Sequence, residues 1–272
     1  MTTFPKLAAL LASGLVGLTL FSCADNATHD VQEQSDDTVV FEPNYSGTYE
    51  VLDPCVKLCD RELDRDADGS IDRSWAHYYT QECQLDIVFQ DNEHDGIADG
   101  YTKYVYDEEG VLIREDTDRD SNGKLDLIVY HRYDEDGLRL VKELDDGADG
   151  AIDRKWHYRH EDGLLVERTY DEDADRVTDL TFRHYYDDER KLVRVEADTD
   201  QDEEPDVFWR FKYNEDGKRI RDEGDTNDDG ELDAIVDRFR DRKNRVTIRA
   251  RDRDADGSYD DLQLYRYGTC YR

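Results

Sequence analysis

Apolar and polar positions alternate along much of this chain. Val207, Trp209, Phe211 and Tyr213 interleave with Phe208, Arg210 and Lys212, and Leu127, Val129, His131 and Tyr133 interleave with Ile128, Tyr130 and Arg132. Trp75, His77 and Tyr79 hold the corresponding positions upstream. A period of two with aromatic and β-branched residues on one side predicts half-buried strands. Each run closes on a turn signal: Tyr106-Asp107-Glu108-Glu109-Gly110, Tyr133-Asp134-Glu135-Asp136-Gly137, Tyr213-Asn214-Glu215-Asp216-Gly217. Asp or Asn followed by Gly is hairpin chemistry, because Gly supplies positive φ without steric cost. A second short apolar run follows, such as Val111–Glu115 or Lys191–Val195, and then an acidic stretch.

That sequence of elements repeats. Acidic stretches begin at Asp64, Asp91, Asp118, Asp145, Asp171, Asp198, Asp225 and Asp252, with one step of 26 residues and all others of 27. The first and ninth positions are Asp in every copy, which a merely solvated acidic face would not maintain. Each unit therefore reads as acidic loop, strand, turn, strand. Both connections are short, so neighbouring strands run antiparallel. The expected fold is all-β: eight tandem hairpin repeats, about sixteen strands, in a curled or closed antiparallel meander. A propeller with two units per blade is the alternative. No unit can bury its apolar side alone, so stability must come from stacking on neighbours.

Composition changes this picture only at one point. Charged residues are 39% of the chain and apolar residues 37%, a pairing that ordinarily signals disorder. The strict repeat and its 18 Tyr, 8 Phe and 3 Trp oppose that reading. With 36 Lys+Arg against 70 Asp+Glu the net charge is −34, which excludes nucleic acid as a natural partner and binding to anionic membrane surfaces by charge.

The N-terminus divides from the repeats. Lys6 precedes an apolar run from Leu7 to Phe21, too short to span a bilayer, and the run closes on Leu20-Phe21-Ser22-Cys23. This resembles the lipobox of bacterial lipoproteins. The resemblance implies that 1–22 is a signal peptide and that Cys23 is the lipidated first residue of the mature chain. By analogy with enteric bacteria, Ala24 permits outer-membrane sorting. The segment 23–50 is then the lipidated Cys and a polar tether, and 51–272 the repeat domain. The implied location is the bacterial cell envelope, periplasmic or surface-exposed, with the membrane engaged through the lipid anchor only. Cys55, Cys59, Cys83 and Cys270 are an even set in an exported chain and are candidates for two disulfides, with zinc the alternative. Full pairing would bring the last repeat to the first.

The acidic loops resemble the Asp-x-Asp-x-Asp-Gly-x-x-Asp calcium loops of integrin-α-type FG-GAP repeats. Carboxylates on alternate residues of a tight loop converge on one point, and Ca²⁺ takes six to eight oxygens. The resemblance makes Ca²⁺ the expected cofactor, with Mg²⁺ a poorer fit to such loops. Its ligands would be Asp64, Asp66, Asp68, Asp72 and the backbone carbonyl of Ser70 in the first loop, and Asp91, Glu93, Asp95, Asp99 in the second. The third would use Asp118, Asp120, Asn122, Asp126; the seventh Asp225, Asn227, Asp229, Asp233; the eighth Asp252, Asp254, Asp256, Asp260. The loop from Asp145 loses a ligand to Gly147. The loops from Asp171 and Asp198 place Arg176 and Glu203 where Gly makes the bend, and are expected to bind weakly or not at all. The turn-and-strand half resembles YD repeats of the Rhs type.

No nucleophile elbow, His-Glu-x-x-His or phosphate loop occurs, and near-equivalent repeats disfavour a unique catalytic site. His77, His131 and His184 fall in one repeat column and read as packing residues. The expected function is a non-enzymatic, calcium-stabilised scaffold presenting a binding or adhesion surface to an unknown protein or glycan ligand. An enzyme or enzyme inhibitor on the same scaffold, or a passive calcium buffer, are the rival classes.

Overall fold

The computed structural model describes residues 57–268; the signal segment, Cys23, the tether, Cys55 and Cys270 lie outside the described residues. Sixteen strands follow in order: β1 (Lys57–Asp64), β2 (Arg73–Tyr79), β3 (Leu85–Asp91), β4 (Gly100–Tyr106), β5 (Leu112–Asp118), β6 (Leu127–Tyr133), β7 (Arg139–Asp146) and β8 (Arg154–Glu161). Then come β9 (Leu164–Asp171), β10 (Leu180–Tyr186), β11 (Leu192–Asp198), β12 (Val207–Tyr213), β13 (Arg219–Asp225), β14 (Ala234–Arg240), β15 (Val246–Asp252) and β16 (Asp261–Gly268). Each strand lies beside its sequence neighbours and β16 lies beside β1, so the meander closes into a barrel rather than splitting into blades. Closure removes the free edges that a flat sheet of this width would expose. Across the seam, Arg266 on β16 pairs with Glu62 on β1 at 2.6 Å.

This topology sorts the connections. Every odd strand ends in an acidic loop and every even strand from β2 to β14 in a hairpin turn, so the acidic loops ring one rim and the turns ring the other. The chain enters β1 at the hairpin rim.

The turns explain the one irregular step. In most units Asp or Asn opens a four-residue turn: Asp107 N–H donates to Val111 O (3.0 Å), Gly110 N–H donates to Asp107 O (3.1 Å), and Gly110 takes φ +82°. Arg190 and Asn244 replace that Gly and still adopt φ +64° and +62°. Between β8 and β9 only Asp162 and Gly163 remain, both at positive φ, a two-residue hairpin of the I′ kind. The unit from Asp145 is one residue shorter for this reason.

Within the even strands the first, third and fifth positions face the barrel interior. On β12 these are Val207, Trp209 and Phe211, 1%, 9% and 5% exposed, while Arg210 and Lys212 are exposed on the outer wall. Opposite Trp209 sits Gly224, where a Cβ would meet the indole ring at 2.8 Å, so the ring uses space only Gly leaves. The outer wall carries ion-pair ladders: Lys155 with Glu143 (3.3 Å), Arg114 with Asp116 (2.7 Å), Arg221 with Asp237 (2.6 Å), and Lys212 with Glu223.

A Tyr near the end of five even strands ties each to the strand before it. The hydroxyls of Tyr79, Tyr106, Tyr186, Tyr213 and Tyr267 donate to the carbonyls of Leu58, Leu85, Leu165, Leu192 and Val246 at 2.6–3.0 Å. Arg240 takes this role in the seventh unit, donating to Arg219 O at 2.8 Å.

Candidate metal centres

Each acidic loop is shaped by the carboxylates that would hold an ion. The ninth-position Asp reaches back to the second backbone N–H: Arg65 to Asp72 at 2.7 Å, Asn92 to Asp99 at 2.6 Å, Arg119 to Asp126 at 2.7 Å, and likewise at Asp153, Asp179, Asp206, Asp233 and Asp260. The first-position Asp accepts from the sixth N–H, as Gly69 donates to Asp64 Oδ2 and Gly123 to Asp118 Oδ2, both at 2.8 Å. Its other oxygen accepts the fifth N–H in most copies, for example Asp68 to Asp64 Oδ1 at 3.1 Å. These first carboxylates are buried: Asp64 is 2% exposed, Asp118 0%, Asp252 3%. Backbone donors satisfy a buried carboxylate that would otherwise be costly.

Five loops gather three carboxylates whose oxygens lie within 4.8 Å of one another: Asp64/Asp66/Asp72, Asp118/Asp120/Asp126, Asp171/Asp173/Asp179, Asp198/Asp200/Asp206 and Asp252/Asp254/Asp260. The first, third and ninth positions converge. Asp-rich oxygen groups of this kind could hold a metal ion, and hard carboxylate oxygens suit Ca²⁺. The fifth position behaves differently. Asp68, Asp95, Asn122, Asp229 and Asp256 each turn a side-chain oxygen onto the seventh backbone N–H, as Ser70 N–H donates to Asp68 Oδ1 at 2.7 Å. Asp91, Glu93 and Asp99 do not form such a group among the described residues. In the seventh loop Asn227 Oδ1 accepts the Asp229 N–H at 3.0 Å, and Asp225 Oδ1 is left buried with no hydrogen-bond partner, a vacant acceptor suited to a cation.

The loops from Asp171 and Asp198 keep the bend. Their carboxylates gather although Gly is missing, because Arg176 and Glu203 adopt φ +78° and +76° themselves. Arg176 N–H still donates to Asp171 Oδ2 at 2.9 Å. The hydrogen-bonded loop holds these residues in a region that L-residues avoid at about 1–2 kcal/mol each. The loop from Asp145 lacks the third carboxylate, as Gly147 requires, yet keeps the same bend through Gly150.

The histidine column faces the interior. His77 is 9% and His131 5% exposed. Burial, then the Arg61 charge, lowers the His77 pKa to about 4, and burial, then Arg168, lowers His184 to about 3. Both are neutral at pH 7. His131 Nε2 lies 2.7 Å from Glu115. The histidines thus sit on separate units, packed as the alternation implied.

No known protein family and no curated protein matches this sequence detectably. Among solved structures, a porin-like protein from Bacteroides uniformis superposes with a TM-score of 0.50 at 12% identity, over 78% of this chain and 98% of that one. At that identity the likeness concerns the fold, a closed antiparallel β-barrel. A TcdB2-TccC3 structure (TM-score 0.35, 13% identity) and a Photorhabdus luminescens Tc holotoxin pore (TM-score 0.32, 13% identity) also match; the chain spans 14% and 13% of their lengths.

Proposed function

We propose that the mature chain is a lipid-anchored, calcium-stabilised β-barrel scaffold of the bacterial cell envelope, non-enzymatic, presenting an interaction surface to a protein or glycan. The observation that carries the reading is the ring of gathered Asp triads on one rim. Ca²⁺ is bound at those five triads, more weakly at the loops from Asp91 and Asp225. Membrane attachment is through Cys23. The barrel wall does not insert, because its strands are 7–8 residues long and its outer face bears Lys103, Lys155, Arg210, Lys212, Glu143 and Glu223 rather than the apolar band that lipid requires.

Repulsion between loop carboxylates in the calcium-poor cytosol favours an exportable, loose chain. Calcium outside then drives folding by binding only the native state. A thermal melt of residues 24–272 in chelator and in about 1 mM Ca²⁺ tests this at the level suited to extracellular modules. A large rise in melting temperature is expected. No shift would make the loops solvated turns and remove calcium from the account.

A further inference from the structure

The barrel interior of this acidic chain is basic near its seam. On the odd strands one repeat column faces inward: Arg61, Val88, Glu115, Lys142, Arg168, Val195, Asp222 and Arg249. Cross-strand pairing fixes the direction, since Arg61 opposes Trp75, Val195 opposes Trp209 and Asp222 opposes Phe211. The two acidic members of the column are ion-paired. Glu115 meets His131 at 2.7 Å, and Asp222 holds Arg219 and Arg238. The seam arginines are not. Arg61 stacks on Trp75 with its guanidinium carbon 3.9 Å from the ring, and Arg73 lies 5.7 Å from the same ring. Arg249 opposes Gln263 on β16, the strand that separates it from β1. Two strand spacings, about 10 Å of backbone, lie between Arg249 and Arg61, within reach of two converging arginines.

Arg61, Arg73 and Arg249 make no ion pair among the described residues, and the Nε of each is buried without a hydrogen-bond partner. The carboxylates nearby are taken: Asp261 by Arg251 (3.1 Å) and Arg253 (2.7 Å), Glu62 by Arg266, Asp222 by Arg238 and Arg219. Burial lowers the pKa of Arg61 and of Arg249; the charges of Arg251 and Arg73 add to this at Arg61, and those of Arg251 and Arg238 at Arg249. Clustering like charges while withdrawing them from water is unfavourable without a counter-ion. Guanidinium forks match the paired oxygens of a tetrahedral oxyanion. Tyr104, Tyr265 and Gln263 face the same space and supply neutral polar groups.

We propose that the barrel interior binds a tetrahedral oxyanion of the phosphate or sulfate type between Arg61, Arg73 and Arg249 at the β1–β16 seam. The anion is either free or the head group of a larger ligand. Trp75 reports on the site. Sulfate and glycerol 3-phosphate are titrated separately into the mature chain in calcium buffer, against chloride at matched ionic strength, with tryptophan fluorescence as the signal. A saturable change is expected, weakened at least tenfold by Arg61→Gln or Arg249→Gln and unaffected by Arg210→Gln on the outer wall. Equal affinity for the two anions marks a free ion. Tenfold tighter binding of glycerol 3-phosphate marks a head group. A second readout is the melting temperature without sulfate, where Arg61→Met should melt above the parent; sulfate should then raise the parent alone. Absence of a saturable response, or equal loss in Arg210→Gln, would overturn the proposal.

Discussion

Asp118 separates the two roles the acidic loops combine. It is 0% exposed and accepts backbone N–H groups from Gly123 (2.8 Å), Asn122 (3.2 Å) and Asp120 (3.4 Å). In Asp118→Ala these donors lose a charged acceptor. A hydrogen bond to a charged group contributes about 1.5–3 kcal/mol, and the two longer contacts contribute less, so the set costs about 3 kcal/mol without any metal. With calcium the substitution also removes an ion ligand. A site with a Kd of about 0.1 mM stabilises the native state by about 1.4 kcal/mol at about 1 mM Ca²⁺. The cost should therefore rise from about 3 kcal/mol in chelator to about 4–5 kcal/mol in calcium. Asp118→Asn keeps a side-chain acceptor and should cost about 1 kcal/mol in chelator, with the calcium increment still lost. Urea unfolding followed by tryptophan fluorescence in the two buffers measures both numbers. A cost below about 1 kcal/mol for Asp118→Ala in chelator would refute the hydrogen-bond account of the loop. The same cost in both buffers would refute metal binding at this loop.

Other outcomes follow from the same geometry. Arg176→Gly relieves a residue at φ +78° and should stabilise by about 1 kcal/mol in chelator, read as a higher urea midpoint; a lower midpoint would mean the side chain contributes more than the strain. Tyr213→Phe deletes the 2.6 Å bond to Leu192 O and should cost about 1 kcal/mol, read as a lower urea midpoint; an unchanged midpoint would show that the bond contributes nothing net. The buried histidines make stability fall on acidification. Their folded pKa values lie below the unfolded value, so their contribution is present above about pH 6.5 and is lost as pH falls through about 4 for His77 and about 3 for His184. His77→Phe copies Phe211 in the same column and should flatten the stability curve between pH 6.5 and 4; an unchanged slope would show that His77 is already charged when folded.

Much of this architecture is written in the repeat. Paired turn chemistry and a period of two specify antiparallel strands, and equal units stacked side by side leave closure as the way to bury both ends. The inward basic column was less legible. Register shifts near the turns, between Val105 and Tyr106 for example, change the parity of the second strand in each hairpin. Apolar Ile113 and Leu140 fall at these irregularities and end up 38% and 42% exposed, while Arg168 and Arg249 turn inward. Alternation counted along sequence alone assigns such residues to the wrong wall. The bend of the loops from Asp171 and Asp198 was not legible for a related reason: a local preference for Gly yields when eight loops share the same framework of hydrogen bonds. Turn-motif tyrosines such as Tyr106 and Tyr213 showed no sign of their bond to a carbonyl 21 residues earlier, because that contact exists only once hairpins stack.

The most direct test of the metal account is a count. Equilibrium dialysis of residues 24–272 against about 1 mM Ca²⁺, followed by elemental analysis, gives ions bound per chain at a concentration suited to extracellular sites. Five gathered triads require five or more bound ions per chain, falling by one in Asp118→Ala. A chain that retains none while keeping its β-sheet circular dichroism would contradict the account and leave the acidic rim as hydrogen-bonded turns.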